Sequence, residues 1–288
     1  GTFEPNSRTF IIAGAEGDTL SSDAYSNPIT FYNLTISKLA LTGNTVLDNN
    51  TIININNQLT FSGTNRSFID AITKSNQATP SYVRIGTAAT LTGAQQFNTS
   101  QPGGWVYGRL HKNIPAGDAP NVVFEIGDDA YYTPLEIDFR SGTGSVAGYL
   151  MAQPEFGFHP KLYDTPQSLY PINPNRVILS RWKLVKPTGS TFVRGTRNFD
   201  PTVSFPHPQY TTLLDCVGCA DLTYYRGGDS LQWWQTMTRN STTDNSGTQN
   251  VCGDTRIPPH PTPTFNYNGS TCTTPNQPTS WIRVLDLN

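Results

Sequence analysis

The chain has 288 residues, of which 14% are charged, and its formal net charge is −2. This length leaves room for one large domain or two medium domains with a sizeable core. Its few basic residues disfavour nucleic-acid binding, which needs concentrated Lys and Arg, and provide no polybasic patch for a membrane surface. Gly, Pro, Tyr and Phe (24, 22, 13 and 14 residues) suit turns and strands, and predict an all-β protein.

The first predicted element is a strand at residues 8–13 (RTFIIA), inside a leading extended segment at residues 1–28. The longest apolar run near the start, residues 10–15, is far shorter than the roughly 20 residues that cross a bilayer, so we expect no membrane insertion. Because the chain begins with Gly1 and not Met, we expect a mature or trimmed chain from which a leader was removed.

Residues 29–104 are rich in Asn and Thr and almost free of charge. Short β-branched and Leu-rich runs are separated by Gly, Asn and Asp, which favour turns over helix interiors. These runs occupy residues 33–36, 39–41, 51–55 and 59–61. The pattern predicts short stacked strands, arranged as a β-solenoid-like domain or a meander.

The run QPGG at residues 101–104 is the best predicted domain boundary, because Pro and Gly interrupt strand pairing. Longer strands with more aromatic residues follow it, at residues 105–110, 121–126, 135–139, 146–152 and 177–185. Their spacing predicts a β-sandwich domain over residues 105–288. This domain includes a long Thr/Asn/Pro-rich loop region at about residues 210–279 and a closing strand at residues 281–287 (WIRVLDL).

Two groups of segments lie in the same order as in a known family. The first group is FYNLTI at 31–36, LTGN at 41–44 and LTFSG at 59–63. The second is VYGRLHKNIPAG at 106–117, FEIGDDAYYTPLEIDF at 124–139 and RWKL at 181–184. Over residues 29–185 the chain resembles repeats of large secreted surface proteins of the Bacteroidota. The resemblance implies a secreted cell-surface or matrix β-protein used in adhesion or scaffolding, usually as part of a longer chain. The C-terminal third departs from that family.

The same phylum uses an Asp-Ser/Thr-apolar pattern for O-glycosylation. Two tripeptides here resemble it, DTL at residues 18–20 and DSL at residues 229–231. The resemblance makes Thr19 and Ser230 candidate sites for O-linked glycans.

The cysteines are Cys216, Cys219, Cys252 and Cys272. In a secreted chain an even number in one region predicts two disulfides, with three alternative pairings, that staple the long loop region. A four-thiolate zinc site is the alternative, but twenty residues separate the second pair where zinc sites have two to four. A redox motif would need a thioredoxin-like βαβ context, which the sequence lacks.

Catalytic residue sets are not visible in the sequence. No Ser/His/Asp arrangement, glycine-rich phosphate loop or paired acids in a recognisable context stands out, so we expect no enzymatic activity and no cofactor. Asp128 and Asp129 follow a predicted strand and form the one weak candidate for a Ca²⁺ site. The favoured interpretation of this pair is a hairpin turn in which Asp caps its own backbone.

The densest aromatic group comprises Tyr225, Trp233 and Trp234. Exposed aromatic rings stack on sugars, and Trp is enriched at protein interfaces. Because side chains alternate along a strand, we expect one of the adjacent Trp residues to be structural and the other to serve an interface.

These observations favour an extracellular structural subunit of a fibre, filament or sheath that assembles with copies of itself by strand addition. The candidate assembly strands lie at the two ends of the chain, and comprise Arg8, Thr9, Phe10, Ile11 and Ile12, and Trp281, Ile282, Val284 and Leu285. The alternative is a carbohydrate-binding or adhesive module of a larger adhesin, with the Tyr225/Trp233/Trp234 group as its glycan platform. A solenoid enzyme acting on polysaccharides is disfavoured, because residues 29–98 contain only Asp48 and Asp70 as acids.

Overall fold

The structure is a computed structural model, and it describes 16 segments of the chain. These are residues 7–22, 27–40, 43–64, 66–74, 80–95, 103–140, 142–156, 180–196, 198–204, 221–225, 234–236, 238–243, 248–252, 266–267, 270–271 and 281–287. Beyond residue 196 the description is of the backbone alone.

Every regular element in these segments is a β-strand. In the first half of the chain the strands are β1 (Thr9–Gly14), β2 (Asp18–Leu20), β3 (Ile29–Lys38), β4 (Thr45–Leu47), β5 (Ile52–Phe61), β6 (Arg66–Asp70), β7 (Tyr82–Ile85), β8 (Thr90–Thr92), β9 (Gly103–Tyr107), β10 (Leu110–Ile114), β11 (Ala119–Phe124), β12 (Ile126–Gly127) and β13 (Leu135–Arg140). The later strands are β14 (Gly148–Phe156), β15 (Ser180–Val185), β16 (Asn198–Ser204), β17 (Asp221–Tyr225), β18 (Trp234–Thr236), β19 (Thr238–Thr243), β20 (Thr248–Cys252), β21 (Asn266–Tyr267), β22 (Ser270–Thr271) and β23 (Trp281–Leu287).

The first twelve strands wind mainly into two parallel sheets. The first sheet stacks β1, β3, β5, β7 and β10 in that order, and the second stacks β2, β4, β6, β9 and β12. The chain therefore alternates between the sheets and adds about one strand to each in every turn. We call each such turn a rung. The all-β class and the β-solenoid-like stacking predicted from the sequence are confirmed.

The core of the solenoid consists of columns of apolar residues in register. Ile12 pairs with Ile36 and Ile36 with Phe61, so equivalent positions are 24 and 25 residues apart in the sequence. These three side chains are 0–6% exposed. Because side chains alternate along a strand, one apolar residue in two is enough to fill the space between the sheets. The intervening Asn and Thr residues remain available for the outer face.

The corners of the rungs are also stacked. The backbone N–H of Ser22 donates to Thr51 Oγ1 (3.2 Å), and the N–H of Thr51 donates to Ser81 Oγ (3.1 Å). Thr51 and Ser81 are fully buried, and their hydroxyl groups accept hydrogen bonds from the backbone N–H groups at this turn. Small polar residues at intervals of about one rung are thus a structural requirement of this corner.

Beyond β10 the first sheet continues with antiparallel pairs. β14 pairs antiparallel with β10, and β15 pairs antiparallel with β14. A second antiparallel sheet has the order β11-β13-β16-β20-β19, and a hairpin joins β21 to β22. One apolar cluster extends from Ile12 in the first rung to Phe192, so the solenoid and the antiparallel strands share a core.

Two buried indoles connect these parts. Trp105 Nε1 donates to the carbonyl of Asp128 (2.7 Å), and Trp182 Nε1 donates to the carbonyl of Thr133 (2.8 Å). The boundary predicted at residue 104 falls inside β9, which pairs with β6 and β12. The β-sandwich predicted for residues 105–288 stays a prediction.

Candidate functional site

Within the described residues, the first rung has an open backbone edge. The carbonyls of Arg8 and Gly14 accept hydrogen bonds from Asn33 and Leu39 of the neighbouring rung. Backbone groups alternate in direction along a strand, so those of Thr9, Ile11 and Ala13 point away from β3. Within the described segments, no strand pairs with β1 on that side. This edge can accept an additional parallel or antiparallel strand.

The apolar core is incompletely covered at the same end. Phe10 pairs in register with Leu34, and Leu34 with Leu59, so all three occupy the inward column. Leu34 and Leu59 are fully buried, whereas Phe10 is 40% exposed, and its ring centroid lies 5.3 Å from that of Phe31. Ile11 on the outer face is 59% exposed. A further rung would bury apolar surface here.

The second sheet is open at the same end as the first. β2 pairs with β4, and it is the terminal strand of its sheet in the described part of the chain. A buried cation holds β2 in place: Lys38 is fully buried, and its Nζ donates to the Asp18 carboxylate and to the carbonyl of Glu16 (2.8 Å). Both strands of the first rung therefore present an edge at one end of the solenoid.

A polar ladder on the outer face also reaches this rung. Asn57 Nδ2 donates to Asn33 Oδ1 (2.7 Å), and Asn33 Nδ2 donates to Thr9 Oγ1 (3.3 Å). Each side chain bonds to the next rung, and the ladder ends on β1. An incoming strand with Asn, Thr or Gln at the matching position would extend it.

The second candidate assembly strand has a different setting. Residues 281–287 form β23, which lies between β15 and β17 and pairs in parallel with both. Trp281 and Ile282 pair with Asp221 and Leu222 of β17, and the far end of the strand pairs with β15. In this structure β23 is an interior strand, whereas β1 is an edge strand.

Two of the three candidate glycan-binding aromatics are brought together by the backbone. Tyr225 is the last residue of β17 and is paired in register with Trp234, the first residue of β18. β18 is the terminal strand of the long sheet, at the opposite end from β1. Trp233 lies outside the described residues.

Asp128 caps its own turn. Its Oδ1 accepts the N–H groups of Ala130 and Tyr131, both at 2.7 Å, and its N–H donates to the carbonyl of Tyr131 (3.0 Å). These carboxylate contacts are the ones expected of an Asp that stabilises a turn. Burial raises the pKa of the nearby Tyr107 hydroxyl, and the charges of Asp129, Asp70 and Asp128 raise it further. No group of three or more His, Cys, Asp or Glu residues suited to a metal ion occurs in the described segments.

The remaining candidates divide between described and undescribed residues. Thr19 is the exposed central residue of β2, and its Oγ1 accepts a hydrogen bond from Lys74 Nζ (3.4 Å). Cys252 is the last residue of β20. Ser230, Cys216, Cys219 and Cys272 lie outside the described residues.

One feature that the sequence analysis missed is an ion pair that faces inward between the sheets. Lys112 Nζ lies 2.5 Å from Glu125 Oε2, and both side chains are less than one-fifth exposed. Burial raises the pKa of Glu125, and the nearby Lys112 charge opposes that rise. Burial and the charges of Glu125 and Glu136 raise the pKa of Tyr132. The sequence signal for such a pair is one Lys or Glu inside each of two predicted strand segments, residues 110–114 (LHKNI) and 122–127 (VVFEIG).

A second missed feature is a buried histidine on the outer face of the long sheet. The ring of His111 stacks parallel to that of Tyr82, with centroids 4.0 Å apart. Burial, followed by the charges of Arg84 and Arg109, lowers the pKa of His111 to about 3. His111 is therefore neutral at physiological pH.

The part of the chain that the structure describes contains no helix long and apolar enough to cross a membrane. Comparisons with protein-family models, curated proteins and solved structures found no significant match to this chain.

Proposed function

We propose that this chain is an extracellular structural protein that assembles with copies of itself into a fibre, filament or sheath through its first rung. The observation that supports this most is the open edge of β1 beside the exposed end of the apolar core. An added strand would gain main-chain hydrogen bonds along that edge and would cover Phe10. Long exposed edges of this kind are a known route to association.

The geometry of association determines whether the assembly closes. Two copies that meet β1 to β1 about a two-fold axis form an antiparallel, closed dimer. If β1 instead receives a different surface of the next copy, every added subunit presents a new β1 edge and the assembly grows as a filament. We propose the second arrangement, because a parallel strand added to β1 continues both the apolar columns and the Asn33–Thr9 ladder.

The test is electron microscopy of the native or purified protein with one variant pair. Ile11→Lys adds a charge beside the open edge, where charged side chains oppose strand addition. Val193→Lys is the matched control, since Val193 is 44% exposed and lies far along the chain from β1. Filaments are expected from the unmodified chain and from Val193→Lys, and dispersed particles from Ile11→Lys. Filaments of ordinary length from Ile11→Lys would contradict assembly through β1.

Sedimentation separates the two geometries. A filament increases in mass with protein concentration, whereas a two-fold dimer stops at two chains. A dimer that does not grow, and that Ile11→Lys disrupts, would show that β1 is an interface but that the protein is not a filament subunit.

The proposal extends to the environment and the C-terminal region. It includes secretion to the cell surface or matrix, as in the Bacteroidota surface proteins that the chain resembles, a β-sandwich after residue 105 and two disulfides among the four cysteines. Mass spectrometry of unreduced peptides tests the disulfides, which are expected in an oxidising compartment. Four free thiols in protein isolated from its native location would contradict this part of the proposal.

A carbohydrate-binding or adhesive module remains the second candidate. The register that pairs Tyr225 with Trp234 at the far edge of the long sheet supports it, because neighbouring aromatics at an edge suit stacking on sugar rings. Replacing Trp233 and Trp234 together by Ala should abolish glycan retention without unfolding the protein, as far-ultraviolet circular dichroism would show. If the unmodified chain retains no glycan, this candidate fails.

A further inference from the structure

The polar ladder on the outer face bridges each of the three steps between β1, β3, β5 and β8. Asn33 Nδ2 of β3 donates to Thr9 Oγ1 of β1, and Asn57 Nδ2 of β5 donates to Asn33 Oδ1. At the third step the hydroxyl oxygens of Thr60 on β5 and Thr92 on β8 lie 3.2 Å apart. Each step therefore has a side-chain hydrogen bond in addition to its backbone hydrogen bonds.

The inward side chains of β1 do not by themselves fix how a strand would align with it. Phe10 and Ile12 both face inward, and they pair in register with Leu34 and Ile36 of β3. A slip of one residue would exchange the two faces of the added strand and expose its apolar side chains. A slip of two residues keeps the faces and again places apolar side chains beside Phe10 and Ile12. The apolar columns therefore exclude the first misalignment and tolerate the second.

The outward side chains of β1 distinguish the correct alignment from a slip of two residues. Thr9, Ile11 and Ala13 alternate with the inward residues, and Thr9 alone of the three has a hydrogen-bonding side chain. Thr9 is exposed, so an added strand can reach it. Its hydroxyl accepts from Asn33 and can also donate, because a hydroxyl does both. A strand slipped by two residues would place its polar side chain opposite Ile11, which cannot bond to it.

We infer that Thr9 determines the register in which a second copy of the chain adds to β1. This inference rests on the proposed function, since it concerns the same edge. The strand that fits presents Asn, Gln or Thr to Thr9 and apolar side chains to Phe10 and Ile12, which is the pattern that β3 presents from the other side. One cross-strand pair contributes little to affinity, so the backbone edge and the apolar columns supply most of the binding and Thr9 acts mainly on alignment.

The experiment compares filaments of the unmodified chain with those of Thr9→Val, by sedimentation and electron microscopy. Val keeps the β-branched shape at this exposed position and removes the hydroxyl. Filaments of Thr9→Val should still form, but the concentration of unpolymerised chain at steady state should rise about two- to fivefold. The axial repeat should weaken in Fourier transforms of the filament images, because subunits joined in two registers interrupt it. Thr9→Asn keeps a hydrogen-bonding side chain and should restore both properties.

Thr92→Val is the matched control, because it removes the same hydroxyl from the far end of the polar ladder, where the hydrogen bond lies within one copy. It should leave the unpolymerised concentration and the axial repeat unchanged. If Thr9→Val filaments are as ordered and as stable as unmodified ones, or if Thr92→Val has the same effect as Thr9→Val, the role of Thr9 is overturned while assembly through β1 stands. Absence of filaments from the unmodified chain would instead overturn the proposed function, and this inference with it.

Discussion

Phe10 and Leu34 occupy equivalent inward positions in adjacent rungs and differ in exposure by 40 percentage points. They are paired in register, yet Phe10 is 40% exposed and Leu34 is 0% exposed. The difference arises because Leu34 has a described rung on each side, whereas Phe10 lies in the first rung and has a described rung on one side only. The same column thus contains a complete core position and an end position, and the two can be compared directly.

Truncation at these two positions should have different effects. Leu34→Ala leaves a cavity in a closed core and should lower the free energy of unfolding by about 2–5 kcal/mol. Phe10→Ala should cost about 1–2 kcal/mol in the monomer, because its ring is already partly in water. Chemical denaturation of dilute protein measures both values. If Phe10→Ala costs as much as Leu34→Ala, the first rung is covered at this end.

The Asp18–Lys38 pair should show strong non-additivity. Asp18→Asn leaves the buried Lys38 ammonium with neutral oxygen partners and should cost about 1–3 kcal/mol, reduced because the Asp18 side chain is 44% exposed. Lys38→Met removes the charge and should cost less, and adding Asp18→Asn to it should change little. Denaturant unfolding of the three variants forms the cycle. Additive losses would show that the two charges do not interact.

Gly63 should not tolerate any side chain. A Cβ at this position would clash with the backbone nitrogen and carbonyl oxygen of Lys38 and with Ser67 Oγ, where adjacent rungs approach each other. Gly63→Ala should therefore cost about 3 kcal/mol, since backbone in a stack cannot yield. Gly117→Ala is the control: it meets nothing within 4 Å, but its φ of 77° should cost about 1 kcal/mol. Equal thermal unfolding temperatures for the two variants would count against close stacking at Gly63.

Local sequence patterns predicted which residues form strands but not how the strands pair. The runs at 51–55 and 59–61 were predicted as separate strands because Asn56 and Asn57 favour a turn; the structure joins them in β5. Pairing with β3 on one side and with β7 and β8 on the other outweighs that preference, and a register shift opposite Phe31 and Asn33 accommodates the Asn residues. Residues 39–41 were predicted as a strand, but β3 ends at Lys38, before the bend at residues 39 and 40.

The sequence predicted a candidate site only where a local pattern indicated it, and not where the site depends on how the strands pair. The alternation in residues 8–13 is a local pattern, so β1 could be predicted from the sequence, although its edge position could not. The neighbouring positions of Asn54, Arg84 and His111 depend on the register between β5, β7 and β10, which are separated by long connections. Nothing local to Asn54, Arg84 or His111 indicates that they are neighbours.

The stability of the chain should depend on pH through His111. Its folded-state pKa is about 3, below the ordinary value of 6.5, so between these values the unfolded chain binds a proton that the folded chain does not. Stability from this group is fully present above pH 6.5 and is lost as the pH falls towards 3, by on the order of 1–2 kcal/mol between pH 6.5 and 5. Glu125, whose pKa is raised, acts in the opposite direction, because its folded form takes up a proton at a higher pH.

Comparison with His111→Phe isolates this contribution, because Phe keeps an aromatic ring against Tyr82 and leaves Glu125 unchanged. The difference in the free energy of unfolding between the two proteins should shift in favour of His111→Phe as the pH falls from 7 to 5. Urea unfolding at several pH values measures it. A difference that stays constant over this range would mean that His111 titrates alike in the folded and unfolded chains, which is incompatible with its burial beside Arg84 and Arg109.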